Sequence, residues 1–383
     1  MKVRSIELRD FRNHGQTTIP CANGINIFVG ENGEGKTNIL EALSYLCLTK
    51  SFFGSNDATV LQIGKPKFLV RGELVADAGI RYNVDVSYDL SDESKTVSIN
   101  NSPVEKFSSV VGRFPVVILS PEGNAITFGM PADRRKFIDF VVSQSSKRYF
   151  EDLLEYRRIV RQRNKILLDG KVNKADCSDL LEPWDEELID RGAGLTYRRA
   201  RFVEEFTPYI VEVCRQLAGG VETPELRYIP SVSMEEPPDE EQIRQRFREQ
   251  LRAKRFEERR MGSTVVGPHR DELDLGINNR ALRKYASQGQ HKTILVALKV
   301  AEFHYLSERC RETPILLLDD VFSEFDSHRS QRTLELLKSL GQTFITTTNE
   351  SMFPAEFDWE GENKRHHVFQ GCVSYAETGS VIH

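Results

Sequence analysis

The segment Gly30-Glu31-Asn32-Gly33-Glu34-Gly35-Lys36-Thr37 has the spacing G-x-x-x-x-G-K-[ST] and lies between an apolar run, Ile25 to Val29, and a helix-like stretch, Asn38 to Leu48. Glycines at such a turn let successive backbone N–H groups converge on phosphate oxygens at a helix N-terminus. Lys36 supplies a mobile cation for the β- and γ-phosphates, and the Thr37 hydroxyl is placed to ligate Mg²⁺. The chemistry indicated is nucleoside triphosphate binding. A second group fits it: the buried-strand pattern Ile315 to Leu318 ends in Asp319-Asp320. Asp319 is expected to hold the metal and Asp320 to orient or activate the attacking water. Between the two, Ser287-Gln288-Gly289-Gln290 forms a turn that opens a helix and presents a hydroxyl and free N–H groups to an anion.

These groups need a scaffold. Residues 1 to 50 read as strand, turn, strand, phosphate loop and helix. Period-two alternation from Lys67 to Val104 predicts an antiparallel meander, with a turn at Asn100-Asn101. Phe114 to Leu119 is a short buried strand. Arg134 to Gln216 is mainly helical in pattern, with breaks expected at Asp169-Gly170, Pro183, Gly192 to Gly194 and Pro208. A loop at Met234 to Glu241 precedes a charged helix, Gln242 to Met261. Strand character returns at Ser263 to Val266 and at Glu272 to Leu282, where Asn278-Asn279 suits a hairpin turn. The expected organisation is one α/β head built from residues 1–118 and 262–383, with a mainly helical lobe, 119–261, inserted between its halves.

The 383 residues are 39% apolar and 28% charged, an ordinary soluble composition. No run suits a membrane span and the charged first residues do not resemble a signal peptide, so a cytoplasmic protein is expected. Six cysteines without C-x-x-C pairing are expected to be reduced thiols. A net charge of −5 argues against coating nucleic acid by global charge. Local charge differs: Lys147 to Lys165 holds seven basic residues against three acidic, and Arg244 to Arg260 eight against three. Each run alone can equally be a solvated helix face, and Arg157, Arg158, Arg161, Arg252, Lys254 and Arg255 become candidates for DNA contact only through the family resemblance that follows.

In order and spacing, the phosphate loop, Ser287 to Gln290, the Asp319-Asp320 strand and Ser323-Glu324-Phe325-Asp326 resemble ATPase heads of the ABC superfamily. That resemblance implies two ATP molecules between two subunits, with Ser287, Gln288, Gly289 and Gln290 capping ATP in trans and Ser323 and Asp326 in a loop that crosses the interface. The opening Leu8-Arg9-Asp10-Phe11-Arg12-Asn13 resembles the SMC-like branch, but no heptads sustain a long coiled coil. Ser120-Pro121-Glu122, Pro131-Ala132-Asp133-Arg134-Arg135, Gly267-Pro268-His269-Arg270-Asp271-Glu272-Leu273 and Ala286-Ser287-Gln288-Gly289-Gln290 are similar to the RecF family over essentially the whole chain. The resemblance implies a DNA-repair ATPase that uses ATP and Mg²⁺ and pairs as a homodimer on double-stranded DNA or single-strand/double-strand junctions. It also implies slow hydrolysis, and loading of RecA together with RecR and RecO. Arg12 is implied to lie near the nucleotide.

Two departures stand out. Phe53 occupies a position where the family carries Arg, and the strand after Asp319-Asp320 ends Thr346-Thr347-Thr348-Asn349 with no switch His. The missing His also weighs against the alternative reading, the ATPase subunit of a membrane transporter. An ATP-dependent nuclease would need a further carboxylate cluster, and none follows Asp326 at recognisable spacing.

Overall fold

The computed structural model describes residues 1–234, 239–321, 335–338, 340–349, 353, 357–359 and 361–375. Along the chain run β1 (Lys2–Phe11), β2 (His14–Pro20), β3 (Ile25–Val29), α1 (Lys36–Leu48), β4 (Lys67–Val75), β5 (Arg81–Asp89), β6 (Ser94–Ile99), β7 (Ser102–Pro103) and β8 (Val116–Leu119). Then come α2 (Ala125–Phe128), α3 (Pro131–Ser145), α4 (Lys147–Asn173), α5 (Ser178–Ala218), β9 (Pro224–Ile229), α6 (Glu240–Ala253), α7 (Arg255–Met261), β10 (Glu272–Ile277), β11 (Arg280–Ala281) and α8 (Leu282–Tyr285). The chain continues through α9 (Gln288–Cys310), β12 (Ile315–Asp319), β13 (Thr343–Thr347), β14 (Lys364–Phe369) and β15 (Cys372–Tyr375).

Two compact units result: Met1–Gly123 with Glu302–His383, and Asn124–Ala301. In the first, a sheet in the order β15-β14-β3-β13-β12-β8 is parallel except at β15, and its central strands β3, β13 and β12 are buried throughout, as a sheet covered on both faces requires. The second sheet of this unit, β2-β1-β4-β5-β6-β7, is the antiparallel meander expected from the alternation, extended by the first hairpin. Asn100 and Asn101 turn it with φ of 52° and 63°. The two sheets sandwich α1, whose Leu46 meets Gly72 of β4 and which also packs on β12 and β13.

In the second unit α5 runs for 41 residues through Pro183, Gly192, Gly194 and Pro208, and α4 runs through Gly170. The expected breaks are absent. Each internal proline costs about 3 kcal/mol in an isolated helix; here burial of Leu188, Ile189, Leu195, Phe202, Phe206 and Ile210 against neighbouring elements outweighs it. Gly192 is a packing glycine, since a Cβ there would strike Phe247 and Tyr156. Ser263 to Val266 is not a strand either. Thr264 is held in a loop by Arg163, whose Nη1 donates to its Oγ1 at 2.7 Å, and by Asn164, which accepts its N–H at 2.7 Å. The strand missed in sequence, β9, pairs antiparallel with β10, which turns into β11 through Asn278-Asn279 as expected. That pairing draws residues 262–301 into the helical unit, so the boundary expected at 262 falls at 302.

Candidate nucleotide-binding site

β3 is paired in parallel with β13 and β14 and delivers the phosphate loop at the carboxyl end of the sheet, where α1 begins. The loop is braced from both chain ends. The Asn13 carboxamide donates to Glu34 O at 2.9 Å and accepts from Asn38 Nδ2 at 2.8 Å. Gly35, at φ +107°, has no room for a side chain, because its Cβ would collide with that carboxamide. His14 Nε2 lies 3.1 Å from Gly35 O, and burial pushes the imidazole pKa down, favouring the neutral ring. From the other end, Gly371 N–H donates to Glu34 O at 3.0 Å and Gln370 N–H to the Glu34 carboxylate.

Lys36 folds over the loop and donates to the carbonyls of Gly30 and Glu31, each at 2.8 Å. Burial lowers its pKa, while Asp320, Asp319, Glu31 and Glu34 work in the opposite direction. Thr37 and Thr346 both donate their hydroxyls to the same Asp319 oxygen, at 2.7 Å each. Asp320 follows at φ +47°, in the left-handed region, with its N–H on Thr346 Oγ1 at 3.0 Å. A hydroxyl and a carboxylate at a helix N-terminus are hard oxygen donors of the kind Mg²⁺ takes beside phosphates, so Thr37 and Asp319 fit that ion.

Arg12, which the resemblance implies near the nucleotide, is held by a carboxylate of α1. Its guanidinium grips buried Glu41 of α1 through two 2.8 Å bonds and also donates to Ser55 Oγ at 2.9 Å and Thr59 O at 3.0 Å. The Glu41 hydrogen bond, offset in part by burial, raises its pKa. Ser51 Oγ donates to the same Glu41 at 2.5 Å, so this carboxylate seats the segment carrying Phe52 and Phe53, whose rings lie 4.0 Å apart.

Ser287 to Gln290 belong to the second unit. Gln290 N–H donates to Ser287 Oγ at 3.2 Å and Ser287 N–H to Gln290 Oε1 at 2.9 Å, a reciprocal cap that leaves Ser287 exposed at the start of α9. Ser323 and Asp326 lie outside the described residues. Of the basic candidates, Arg157 donates to Asp139 at 2.9 Å, Arg158 to Glu155 at 2.9 Å, Lys254 to Glu257 at 2.7 Å and Arg255 to Asp185 at 3.3 Å. Arg161 and Arg252 are exposed and make no ion pair with a described residue.

The Gly267 to Leu273 motif is architectural. Arg199, buried, donates to Asp139 at 2.8 Å, Asp271 at 3.0 Å, Pro268 O at 2.6 Å and Tyr149 Oη at 3.0 Å. Asp271 also accepts from Tyr228, and His269 Nδ1 lies 2.7 Å from the Tyr156 hydroxyl.

Sequence reasoning did not assign roles to Asn13, His14, Glu41 and Gly371. Glu41 carries a readable signal, an acid inside the apolar run Ile39 to Leu43. The turn at Gln370-Gly371 has none, because its partner lies at the opposite end of the chain.

Comparison with known proteins places these groups in a family. The model of the RecF/RecN/SMC N terminal domain matches residues 2–359. The DNA replication and repair protein RecF of Chloroherpeton thalassium is 42% identical over 92% of this chain and 96% of its own length. That of Salinibacter ruber is 37% identical over 95% of this chain and 89% of its own. A solved structure of the recombination mediator protein RecF-ATPrS in the RecFOR pathway superposes with a TM-score of 0.90 at 31% identity, covering 98% of both chains. An Smc head bound to the C-winged helix domain of ScpA shares the fold, with a TM-score of 0.57 at 15% identity.

Proposed function

Because the chain belongs to the RecF family of SMC-like ATPases, we propose that it is a DNA replication and repair ATPase whose nucleotide state switches a homodimer on DNA. The observation that carries this reading is the joined set Lys36, Thr37, Asp319, Thr346 and Asp320 around one phosphate loop. Triphosphate draws Lys36 off the Gly30 and Glu31 carbonyls onto the β- and γ-oxygens. Thr37 and Asp319 would hold Mg²⁺, which would supply charge neutralisation at the phosphates, and Asp320 orients the attacking water. Ser287 to Gln290 of a second copy close the site from the other side, using the exposed hydroxyl and N–H groups at the start of α9. Hydrolysis is slow and acts as release.

The finer role proposed is the one the family resemblance implies. The dimer holds double-stranded DNA or single-strand/double-strand junctions at gaps and, with RecR and RecO, helps load RecA in the cytoplasm. Pairing two copies doubles the basic surface facing one duplex, so an acidic protein binds DNA well only with ATP. Four of the six basic candidates are in ion pairs; of the two that are not, Arg161 and Arg252, Arg252 is the proposed phosphate contact. The whole-chain match decides against a transporter ATPase.

Sedimentation with and without ATP and duplex DNA tests the switch. Wild type should dimerise only with ATP, Lys36→Ala should neither bind ATP nor dimerise, and Ser287→Arg should bind ATP without dimerising. Mixing the two variants leaves one composite site intact and should restore some ATPase. Normal dimerisation of Ser287→Arg would overturn the trans arrangement.

A further inference from the structure

The outward face of α4 carries a stripe of exposed side chains. Its inward face is committed: Leu153, Tyr156, Ile159, Arg163 and Leu167 are buried. Outward, Leu154, Arg158, Arg161, Lys165, Leu168 and Val172 fall at alternating spacings of four and three, a single straight stripe of coiled-coil period. All six are exposed, with Leu154 at 44%, Leu168 at 52% and Val172 at 71%. Arg158 is spent on Glu155 and lies over Trp184 at 5.2 Å. Arg161 and Lys165, in the middle, make no hydrogen bond or ion pair with a described residue. At 1.5 Å per residue the stripe is about 27 Å long, enough for a docked helix of about five turns.

The pattern selects its occupant. Leucine and valine at the ends need an apolar counterpart, and two free cations between them need carboxylates. A second copy fails that test. Antiparallel pairing about the stripe's centre sets Arg161 against Lys165, and parallel pairing in register sets each against itself, so both place cation on cation. Duplex DNA would take the cations but leave Leu154, Leu168 and Val172 facing a polar backbone, and the neighbouring Arg157 is already bonded to Asp139. We propose that the outward face of α4 docks an acidic amphipathic helix of a partner protein, apolar at both ends of its contact stripe and carboxylate-rich in the middle.

The probe is a fluorescein-labelled synthetic helix of about 20 residues with leucines at both ends of its heptad stripe and glutamates at the two central positions; a control carries lysines there. Anisotropy with the full-length protein should show the glutamate helix binding and the lysine helix not. Leu168→Ser with Val172→Ser should weaken binding about tenfold or more, as should Arg161→Glu with Lys165→Glu. The latter variant should bind the lysine helix instead, a swap that general damage to the lobe cannot produce. Melting and ATP hydrolysis should be unchanged, since these side chains are exposed. Equal binding of both helices, or indifference to the Leu168/Val172 change, overturns the proposal. So does a loss of duplex DNA binding in the Leu168/Val172 variant, which would assign the face to nucleic acid.

Discussion

Replacing Thr346 with valine tests the chemistry of the site without altering its shape. Thr346 is buried on β13 opposite Asp319, and its hydroxyl does two things: it donates to Asp319 Oδ1 at 2.7 Å and accepts the Asp320 N–H at 3.0 Å. Valine keeps the volume and the strand preference and removes both bonds. A hydrogen bond to a buried charged group contributes about 1.5–3 kcal/mol. Thr37 still holds the same carboxylate oxygen at 2.7 Å, so the carboxylate stays anchored but less fixed. If that energy is lost from the transition state, hydrolysis falls about 10- to 150-fold. ATP binding should change little, because Lys36 and the loop amides carry it. Steady-state ATPase and a Mg²⁺ titration make the measurement: the valine variant should need more Mg²⁺ and turn over slowly, while Thr346→Ser should stay near wild type. A folded valine variant with wild-type turnover and Mg²⁺ response would remove Thr346 from the site's chemistry.

Three further outcomes follow from the same geometry. Asp320→Asn should bind ATP normally yet hydrolyse it far more slowly, so ATP-bound dimers accumulate on DNA; unchanged turnover would take Asp320 out of the water-orienting role. Arg199→Met should destabilise the helical unit by about 3–5 kcal/mol in urea titration, since Asp271 is left buried without its cation and Asp139 keeps only the exposed Arg157; a loss below about 1 kcal/mol would contradict the network reading. His269 has its pKa pushed down to about 4, chiefly by burial, from an ordinary 6.5. The unfolded chain therefore takes up a proton before the folded one. Stability is unaffected above pH 6.5 and falls between 6.5 and 4, by about 3 kcal/mol at the end of that window. A stability–pH profile that His269→Gln leaves equally steep would refute this.

What could be read in advance was local. The phosphate loop, the acidic strand and the meander each announce themselves within a short window, through Gly-x-Gly-Lys-Thr, four apolar residues before Asp319, and strict alternation from Phe68 to Ile99. The bracing of the loop was not legible, because Asn13 and Gly371 meet Glu34 from opposite ends of the chain and neither is unusual in its own neighbourhood. The helical unit misled for a related reason. Pro183 and Gly192 argue for breaks by propensity, but the packing of Phe247 on Gly192 is a tertiary fact. Charge runs were only partly legible. Arg157 looks free in sequence, and its partner Asp139 on α3 appears only once the helices are folded and set side by side, whereas Lys254 meets Glu257 three residues on.

The place of β3 has a consequence for how the protein is made. The strand that leads into the phosphate loop finds both of its sheet neighbours, β13 and β14, far downstream in the chain. At about 5–20 residues per second, a ribosome needs roughly 15–60 s to add the roughly 300 residues that separate β3 from β13. Throughout that interval Ile25, Ile27, Phe28 and Val29 are an apolar strand with neither edge covered, the type of segment that holding chaperones recognise and that aggregates when they are scarce. The helical lobe can fold while the head waits. A nascent chain stopped before β14 therefore lacks both the strand that flanks β3 and the Gly371 turn that braces the phosphate loop.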